Sequence, residues 1–162
     1  LFHRQPAQVE ASRFSLLRDN EIIADINATV APLGITGFCM GGRVAYLMAC
    51  VNPEFKAAAV FYGGGIFRAQ GDGPSPFERS AGIQCPMIGF FGAEDTNPAP
   101  ADVKKIDAEL RRLKKWHEFH TYNNTGHAFQ NFTSPERYRE RAARASWTEM
   151  LAFFTEHLKR QS

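Results

Sequence analysis

The hydrophobic positions of the chain alternate between short continuous apolar runs and longer stretches with helical spacing. Apolar runs of strand length occupy residues 33–38, 57–62 and 86–91, and a fourth strand, of mixed polarity, is predicted at residues 116–122. Apolar side chains recur every three or four positions in segments that we interpret as helices, at residues 12–30, 44–51, 100–115 and from about Thr133 towards the end. Strands that are apolar almost throughout and that alternate with helices predict an α/β fold. We therefore expect a three-layer α/β/α sandwich around a mostly parallel sheet.

Local signals refine three of these segments. Residues 69–84 are polar and rich in glycine and proline, which predicts a surface excursion. A break at Asp19-Asn20 would divide the first helix in two. Thr133 and Glu136 have the spacing of a capping box, and Pro135 suits a first helical turn, so the last helix is expected to begin near Thr133.

Composition is typical of one globular domain, since the 162 residues are 44% hydrophobic and 22% charged. The net charge of +2 does not indicate a nucleic-acid partner. The densest basic stretch, residues 104–115, belongs to a predicted helix, and we interpret its charges as a solvated face. The apolar stripe of that helix is Val103, Ile106, Leu110 and Leu113. No apolar run approaches the length of a membrane span, and no membrane partner is expected.

The cysteines and two of the histidines give no sign of a metal site. Cys39, Cys50 and Cys85 lack metal-type spacing, and their odd number favours a reducing compartment, the cytoplasm. Cys50 ends an apolar helix and Cys85 precedes a strand, so both are expected in the core. His117 and His120 lie an odd number of positions apart on a strand, which places them on opposite faces of the sheet.

The segment Gly37-Phe38-Cys39-Met40-Gly41-Gly42 lies between a short strand and an apolar helix and has the G-x-nucleophile-x-G arrangement. We predict that Cys39 is a nucleophile on a sharp turn, with glycines at 37 and 41 that allow the strand and helix to approach closely. A helix N-terminus favours a thiolate, and the N–H of Met40 would be an oxyanion-hole donor. The alternative is a small, inert cysteine buried at a tight turn.

A histidine and a carboxylate follow two later strands. Asp95 comes after the third strand and His127 after the fourth, so both should emerge at the same edge of the sheet as Cys39. His127 would serve as the base and Asp95 would orient it, with Glu94 as a competing orienter. Gly63-Gly64-Gly65 lacks the third glycine of a dinucleotide loop and is interpreted as a turn that lines the site.

These motifs resemble the dienelactone hydrolase family of α/β-hydrolases. The matching segments are residues 37–42, 61–63, 91–95 and 122–129, and the similarity extends from residue 33 to the end. The resemblance implies a hydrolase with a triad of Cys39, His127 and Asp95 and with no cofactor. It also implies that residues 1–162 are a single α/β-hydrolase domain that is incomplete at the N-terminus.

Two features of that family lack a counterpart in this sequence. The family has further strands before the helix that precedes the elbow, and they carry a second oxyanion donor, a glutamate and an arginine. The dienelactone enzyme also has an arginine shortly after the triad histidine, where this chain has Phe129-Gln130-Asn131-Phe132. The resemblance therefore implies acyl transfer on a small ester or lactone, with the dienelactone substrate itself in question.

The sequence leaves other functions open. One alternative is a non-catalytic α/β-hydrolase-like protein that binds a ligand or a partner in the same cleft. Another is a cysteine amidase or peptidase on this fold. The physiological substrate and the oligomeric state are not predicted.

Overall fold

The computed structural model describes residues 18–27 and 34–158 and contains the predicted parallel sheet. Its strands are β1 (Gly34–Phe38), β2 (Ala57–Phe61), β3 (Met87–Gly92) and β4 (His117–Tyr122). They lie in the order β1-β2-β3-β4, and every neighbouring pair is parallel. The predicted α/β fold is confirmed.

Helices cover both faces of this sheet. They are α1 (Asp19–Asn27), α2 (Met40–Val51), α3 (Pro100–Arg112) and α4 (Glu140–His157). Because side chains alternate along a strand, Ala58 and Val60 of β2 pack with α2 and α3, whereas Ala59 and Phe61 pack with α4 on the opposite face. These two cores form the three-layer arrangement that the apolar runs predict.

The two central strands are buried along their whole length, and the two outer ones are not. Every residue of β2 and β3 is buried. β1 and β4 keep exposed positions, including Phe38, whose side chain is 37% exposed at the end of β1. The loops that follow the carboxyl ends of the strands carry the predicted site residues.

The prediction for the start of the last helix is wrong. Thr133 donates its Oγ1–H to Asn131 at 2.7 Å, and Glu136 accepts from Ser134 at 2.6 Å, so the expected capping box does not form. Such local side-chain bonds stabilise turns in competition with helix, and α4 begins only at Glu140.

The segment expected on the surface is partly core. Phe77–Gly82 forms a short 3-10 helix, and the hydroxyl groups of Ser80 and Tyr46 lie 2.6 Å apart in the interior. The first predicted helix is described over Asp19–Asn27 as α1, and residues 12–17 and 28–30 lie outside the described residues. Among the helices described, none has the length and apolar character needed to cross a membrane.

Candidate active site

Cys39 occupies the sharp turn between β1 and α2. Its backbone has φ 55° and ψ −117°, a conformation that L-residues seldom adopt. The turn is fixed on both sides, since Cys39 donates its N–H to the Phe61 carbonyl at 3.0 Å and accepts from the Arg43 N–H at 3.1 Å. The predicted elbow is therefore present as a geometry, with the sulfur exposed at the end of the strand.

The two elbow glycines differ, because the structure bears out the close approach predicted for Gly37 and gives no steric reason for glycine at position 41. A Cβ at Gly37 would clash with the backbone of Gly41, so glycine is required there. A Cβ at Gly41 itself would meet nothing within 4 Å. A second close approach, between α2 and β2, occurs at Gly42, where a Cβ would lie 2.6 Å from the Phe61 carbonyl oxygen.

His127 and Asp95 lie next to Cys39. The Nε2 of His127 is 3.0 Å from the Cys39 sulfur, and its Nδ1 is 2.8 Å from Oδ2 of Asp95. The other carboxylate oxygen of Asp95 accepts the Asn97 N–H at 2.8 Å, and the Asp95 side chain is fully buried. Glu94 is exposed, so Asp95 is the carboxylate in contact with the imidazole.

The loops after β3 and β4 are bonded to each other, which places Asp95 against His127. Ala93 donates its N–H to the Tyr122 carbonyl at 2.9 Å, and Glu94 donates to Thr125 at the same distance. A Cβ at Gly92 would clash with the Thr125 carbonyl, so this approach needs glycine. The backbone thus sets the position of the imidazole.

The hydrogen bonds shift the protonation of both reactive groups. The bond from His127 lowers the pKa of the Cys39 thiol, against the opposing effect of burial, and the Met40 N–H adds to the lowering. The bond to Asp95, followed by the bond to Cys39, raises the pKa of His127 to about 9. Both shifts favour a thiolate paired with an imidazolium at neutral pH.

Tyr62 supports the imidazole from the side. Its ring lies edge-to-face against His127, with ring centroids 5.2 Å apart, and against Phe129 at 5.1 Å. Burial raises the pKa of the Tyr62 hydroxyl, which keeps it neutral. The sequence placed Tyr62 only at the end of the second predicted strand, and a strand residue gives no sign of which loop will cross above it.

A cavity of about 670 Å³ adjoins the reactive groups. Its wall includes Cys39, Met40 and His127, together with the loop that follows β2. Gly64 and Gly65 line it, as the sequence predicts for the glycine turn. A larger cavity of about 740 Å³ lies beside β4 and the start of α4, without Cys39 or His127 among its residues. We take the smaller cavity as the candidate site because Cys39 and His127, the predicted nucleophile and base, line it.

Sequence reasoning missed a buried ion pair behind this cavity. Arg43 donates from Nη1 and Nη2 to the two carboxylate oxygens of Asp19, at 2.7 and 3.0 Å, and both side chains are at most 5% exposed. Arg43 also donates to the carbonyl oxygens of Gly65 at 3.2 Å and Arg68 at 2.8 Å. The only signal was a charged residue on an apolar helix face four positions after the predicted nucleophile.

The other candidate ligands have separate structural partners. His117 lies 3.0 Å from Asp107 of α3, and His120 lies 3.5 Å from Glu149 of α4, on opposite faces of the sheet as predicted. Cys50 and Cys85 are buried, and burial raises the pKa of Cys85 to about 11. Within residues 18–27 and 34–158, no three His, Cys, Asp or Glu side chains are grouped as metal ligands.

Comparison with known proteins agrees with this fold. The family model of the dienelactone hydrolase family matches residues 11–158. A candidate carboxymethylenebutenolidase of Salmonella typhimurium is 30% identical over 150 residues, which cover 86% of this chain and 55% of that protein. Its counterpart in Synechocystis is 33% identical over 171 aligned positions, covering 95% and 68%.

Solved structures show the same relationship. The crystal structure of a candidate dienelactone hydrolase from Klebsiella pneumoniae superposes with a TM-score of 0.81 at 30% identity, covering 88% of this chain and 64% of that one. The chain thus spans a little over half the length of several relatives that it matches. The fold is that of an α/β-hydrolase, and the chain belongs to the dienelactone hydrolase family.

Proposed function

We propose that this protein hydrolyses small esters or lactones through a covalent intermediate on Cys39, with His127 as proton carrier and Asp95 as its orienter. The observation that carries the proposal is the continuous hydrogen-bonded series from sulfur to imidazole to buried carboxylate, at 3.0 and 2.8 Å. In this arrangement the nucleophile, the base and the orienter lie in the order that acyl transfer needs.

The first half of the reaction forms a thioester. The Cys39 thiolate attacks the carbonyl carbon, and the carbonyl electron pair moves to the oxygen, where the Met40 N–H can donate a hydrogen bond. As the tetrahedral intermediate collapses, the C–O bond of the ester breaks and the imidazolium Nε2–H protonates the leaving oxygen. An ester releases its alcohol, whereas a lactone opens and stays attached.

The second half releases the acid. Neutral His127 takes a proton from a water molecule, whose oxygen attacks the thioester carbonyl. The C–S bond breaks, and the sulfur leaves as a thiolate beside the re-formed imidazolium. Asp95 keeps Nδ1 protonated throughout, so that Nε2 faces the reacting atoms.

Nitrophenyl ester hydrolysis tests this proposal. We expect the wild-type protein to release nitrophenolate, and Cys39→Ala and His127→Ala to lose the activity by about a hundredfold or more. Cys85→Ala is the matched control, because its thiol is buried away from the cavity, and its activity should equal that of wild type. Unchanged turnover in Cys39→Ala would overturn the mechanism.

The same reagents separate the alternatives. A binding protein without catalysis would show no turnover and an inert Cys39, so stoichiometric alkylation by iodoacetamide at neutral pH argues for the enzyme. A cysteine amidase would cleave nitroanilides at rates comparable with the matched nitrophenyl esters. We expect the esters to be preferred.

We also propose that the protein works in a reducing compartment such as the cytoplasm. The support is that all three cysteines are free and that Cys39 needs its thiolate for the reaction. The proposed reaction calls for water as the only co-reactant, with neither a metal nor an organic cofactor.

A further inference from the structure

The Arg43–Asp19 ion pair holds the backbone of the loop after β2 through hydrogen bonds. Arg43 contacts the carbonyl oxygens of Gly65 and Arg68, as described above. Asp19 bonds to both the carbonyl and the N–H of Gln70, two positions after Arg68. The Asp19 N–H donates to the Gln70 carbonyl at 2.8 Å, and Oδ2 of Asp19 accepts the Gln70 N–H at 3.2 Å. The backbone of Gln70 is therefore among the most firmly held parts of the cavity wall.

The carboxamide of the Gln70 side chain, by contrast, has little hydrogen bonding. It lines the cavity that contains Cys39 and His127, and its Nε2 makes one weak contact, a donation to the Met40 sulfur at 3.9 Å. Its Oε1 is buried and has no hydrogen-bond partner among the described residues. A buried acceptor without a partner is unfavourable, so this oxygen calls for an explanation, and a bound ligand that donates to it would be one.

We propose that Gln70 is a substrate-binding residue, whose Oε1 accepts a hydrogen bond from a hydroxyl or N–H on the acyl part of the substrate. The acyl side follows from position, since Gln70 contacts Met40, the residue next to the nucleophile. A glutamine side chain can turn about its bonds, so a bound donor replaces an unmet hydrogen bond with a formed one. This inference rests on the proposed function and specifies its substrates as esters or lactones with a donor next to the carbonyl.

The Arg43–Asp19 ion pair affects substrate binding by fixing the backbone of Gln70. Arg43 and Asp19 are positioning residues, because a carboxamide can discriminate between substrates only if its backbone is fixed. Arg68 and Lys105 also line the cavity, but both side chains are exposed. Their charges are therefore screened by water, and they do not distinguish a neutral hydroxyl group from a methyl group.

The test uses two isosteric esters, nitrophenyl glycolate and nitrophenyl propionate, which differ by a hydroxyl in place of a methyl group. We expect wild type to favour the glycolate about tenfold in kcat/KM. Gln70→Met keeps the side-chain length and removes the carboxamide, and it should reduce this ratio to about one. A ratio measured within one protein does not depend on how much of it is folded. Gln84→Met, an exposed position outside the cavity, is the control and should keep the wild-type ratio.

The positioning role of the ion pair is tested by the KM of an Asp19 variant. Asp19→Asn keeps the shape of the side chain and removes its charge, and we expect it to raise KM for the glycolate with little change in kcat. Equal losses on both esters would instead mean that the ion pair supports the fold alone.

A second measurement decides the role of Gln70 even without turnover. Glycolamide and propionamide differ in the same way, and glycolamide should protect Cys39 from iodoacetamide better than propionamide in wild type and no better in Gln70→Met. If both esters are inert and this protection is still selective, the hydrolase proposal fails and the role of Gln70 stands. If the esters are cleaved and Gln70→Met keeps the wild-type ratio, only the Gln70 proposal is overturned.

Discussion

The imidazole Nε2 of His127 lies 3.0 Å from the sulfur of Cys39, although 88 positions separate the two residues in the chain. Cys39 follows β1 and His127 follows β4, and two strands lie between them in the sheet. The loop that carries His127 therefore crosses the carboxyl edge of the sheet, where the ring of Tyr62 lies against the imidazole. The reactivity proposed for Cys39 depends on this crossing.

The reactivity of the Cys39 thiol should persist well below the pH at which an ordinary cysteine ionises. Its pKa is lowered, so the thiolate should persist to a lower pH than that of an ordinary cysteine and be lost as the pH falls through that lowered value. Above about 9, His127 loses its proton but the thiolate remains, and alkylation should not decline. The measurement is the rate of iodoacetamide labelling across pH, with the modified cysteine identified by mass spectrometry.

The control for that profile is His127→Ala. Without the imidazole the midpoint of alkylation should move upward, towards the ordinary thiol value of about 8.5. Cys50 and Cys85 should stay unlabelled in both proteins, because they are buried and their pKa values are raised. An unchanged midpoint in His127→Ala would show that another group stabilises the thiolate.

Asp95 and Glu94 should differ sharply in their importance. Asp95→Asn replaces the buried acceptor of the imidazole Nδ1–H, and we expect kcat for a nitrophenyl ester to fall about a hundredfold or more. Glu94→Gln changes an exposed carboxylate one position away and should leave the rate within about twofold of wild type. The reverse order of effects would assign the orienting role to Glu94.

Alanine substitutions at Gly41 and Gly42 should have different effects on the free energy of unfolding. Gly42→Ala places a methyl group 2.6 Å from the Phe61 carbonyl oxygen, and we expect it to lower the free energy of unfolding by about 1–3 kcal/mol. A methyl group at Gly41 meets nothing within 4 Å, and alanine is the better helix former, so Gly41→Ala should be neutral or stabilising by up to about 1 kcal/mol. Urea unfolding of the two variants measures the difference. A larger loss for Gly41→Ala would contradict the packing described.

Removing one member of the buried ion pair should be strongly destabilising. Arg43→Met leaves Asp19 buried without its partner, and we expect a loss of about 3–5 kcal/mol in the free energy of unfolding. The double variant Arg43→Met with Asp19→Leu removes both charges and should recover part of that loss. Additive losses in the double variant would mean that the two side chains do not interact.

The sequence predicted the sheet and the candidate triad because both follow from short-range patterns. Continuous apolar runs identify buried parallel strands, and the ends of those strands place Cys39, Asp95 and His127 at one edge. The capping box at Thr133 was wrong because the competing bond to Asn131 depends on the local fold of the loop. Sequence spacing does not distinguish a cap from such a turn.

Long-range contacts were beyond the reach of sequence patterns. The pairing of Arg43 with Asp19 joins two helices, and the fixed backbone of Gln70 depends on that pair. Gln70 belongs to the segment interpreted as a surface excursion, since its glycines and prolines were the only visible signal. The buried position of Ser80 against Tyr46 shows how a polar segment can still join the core.

Quenching the reaction during turnover tests the covalent intermediate most directly. Wild-type protein mixed with a nitrophenyl ester, stopped with acid and digested, should carry the acyl group as a thioester on the peptide that contains Cys39. The acyl group should be absent from the corresponding peptide of Cys39→Ala. Rapid release of nitrophenolate with an unmodified Cys39, at the same rate in Cys39→Ala, would contradict the proposed mechanism.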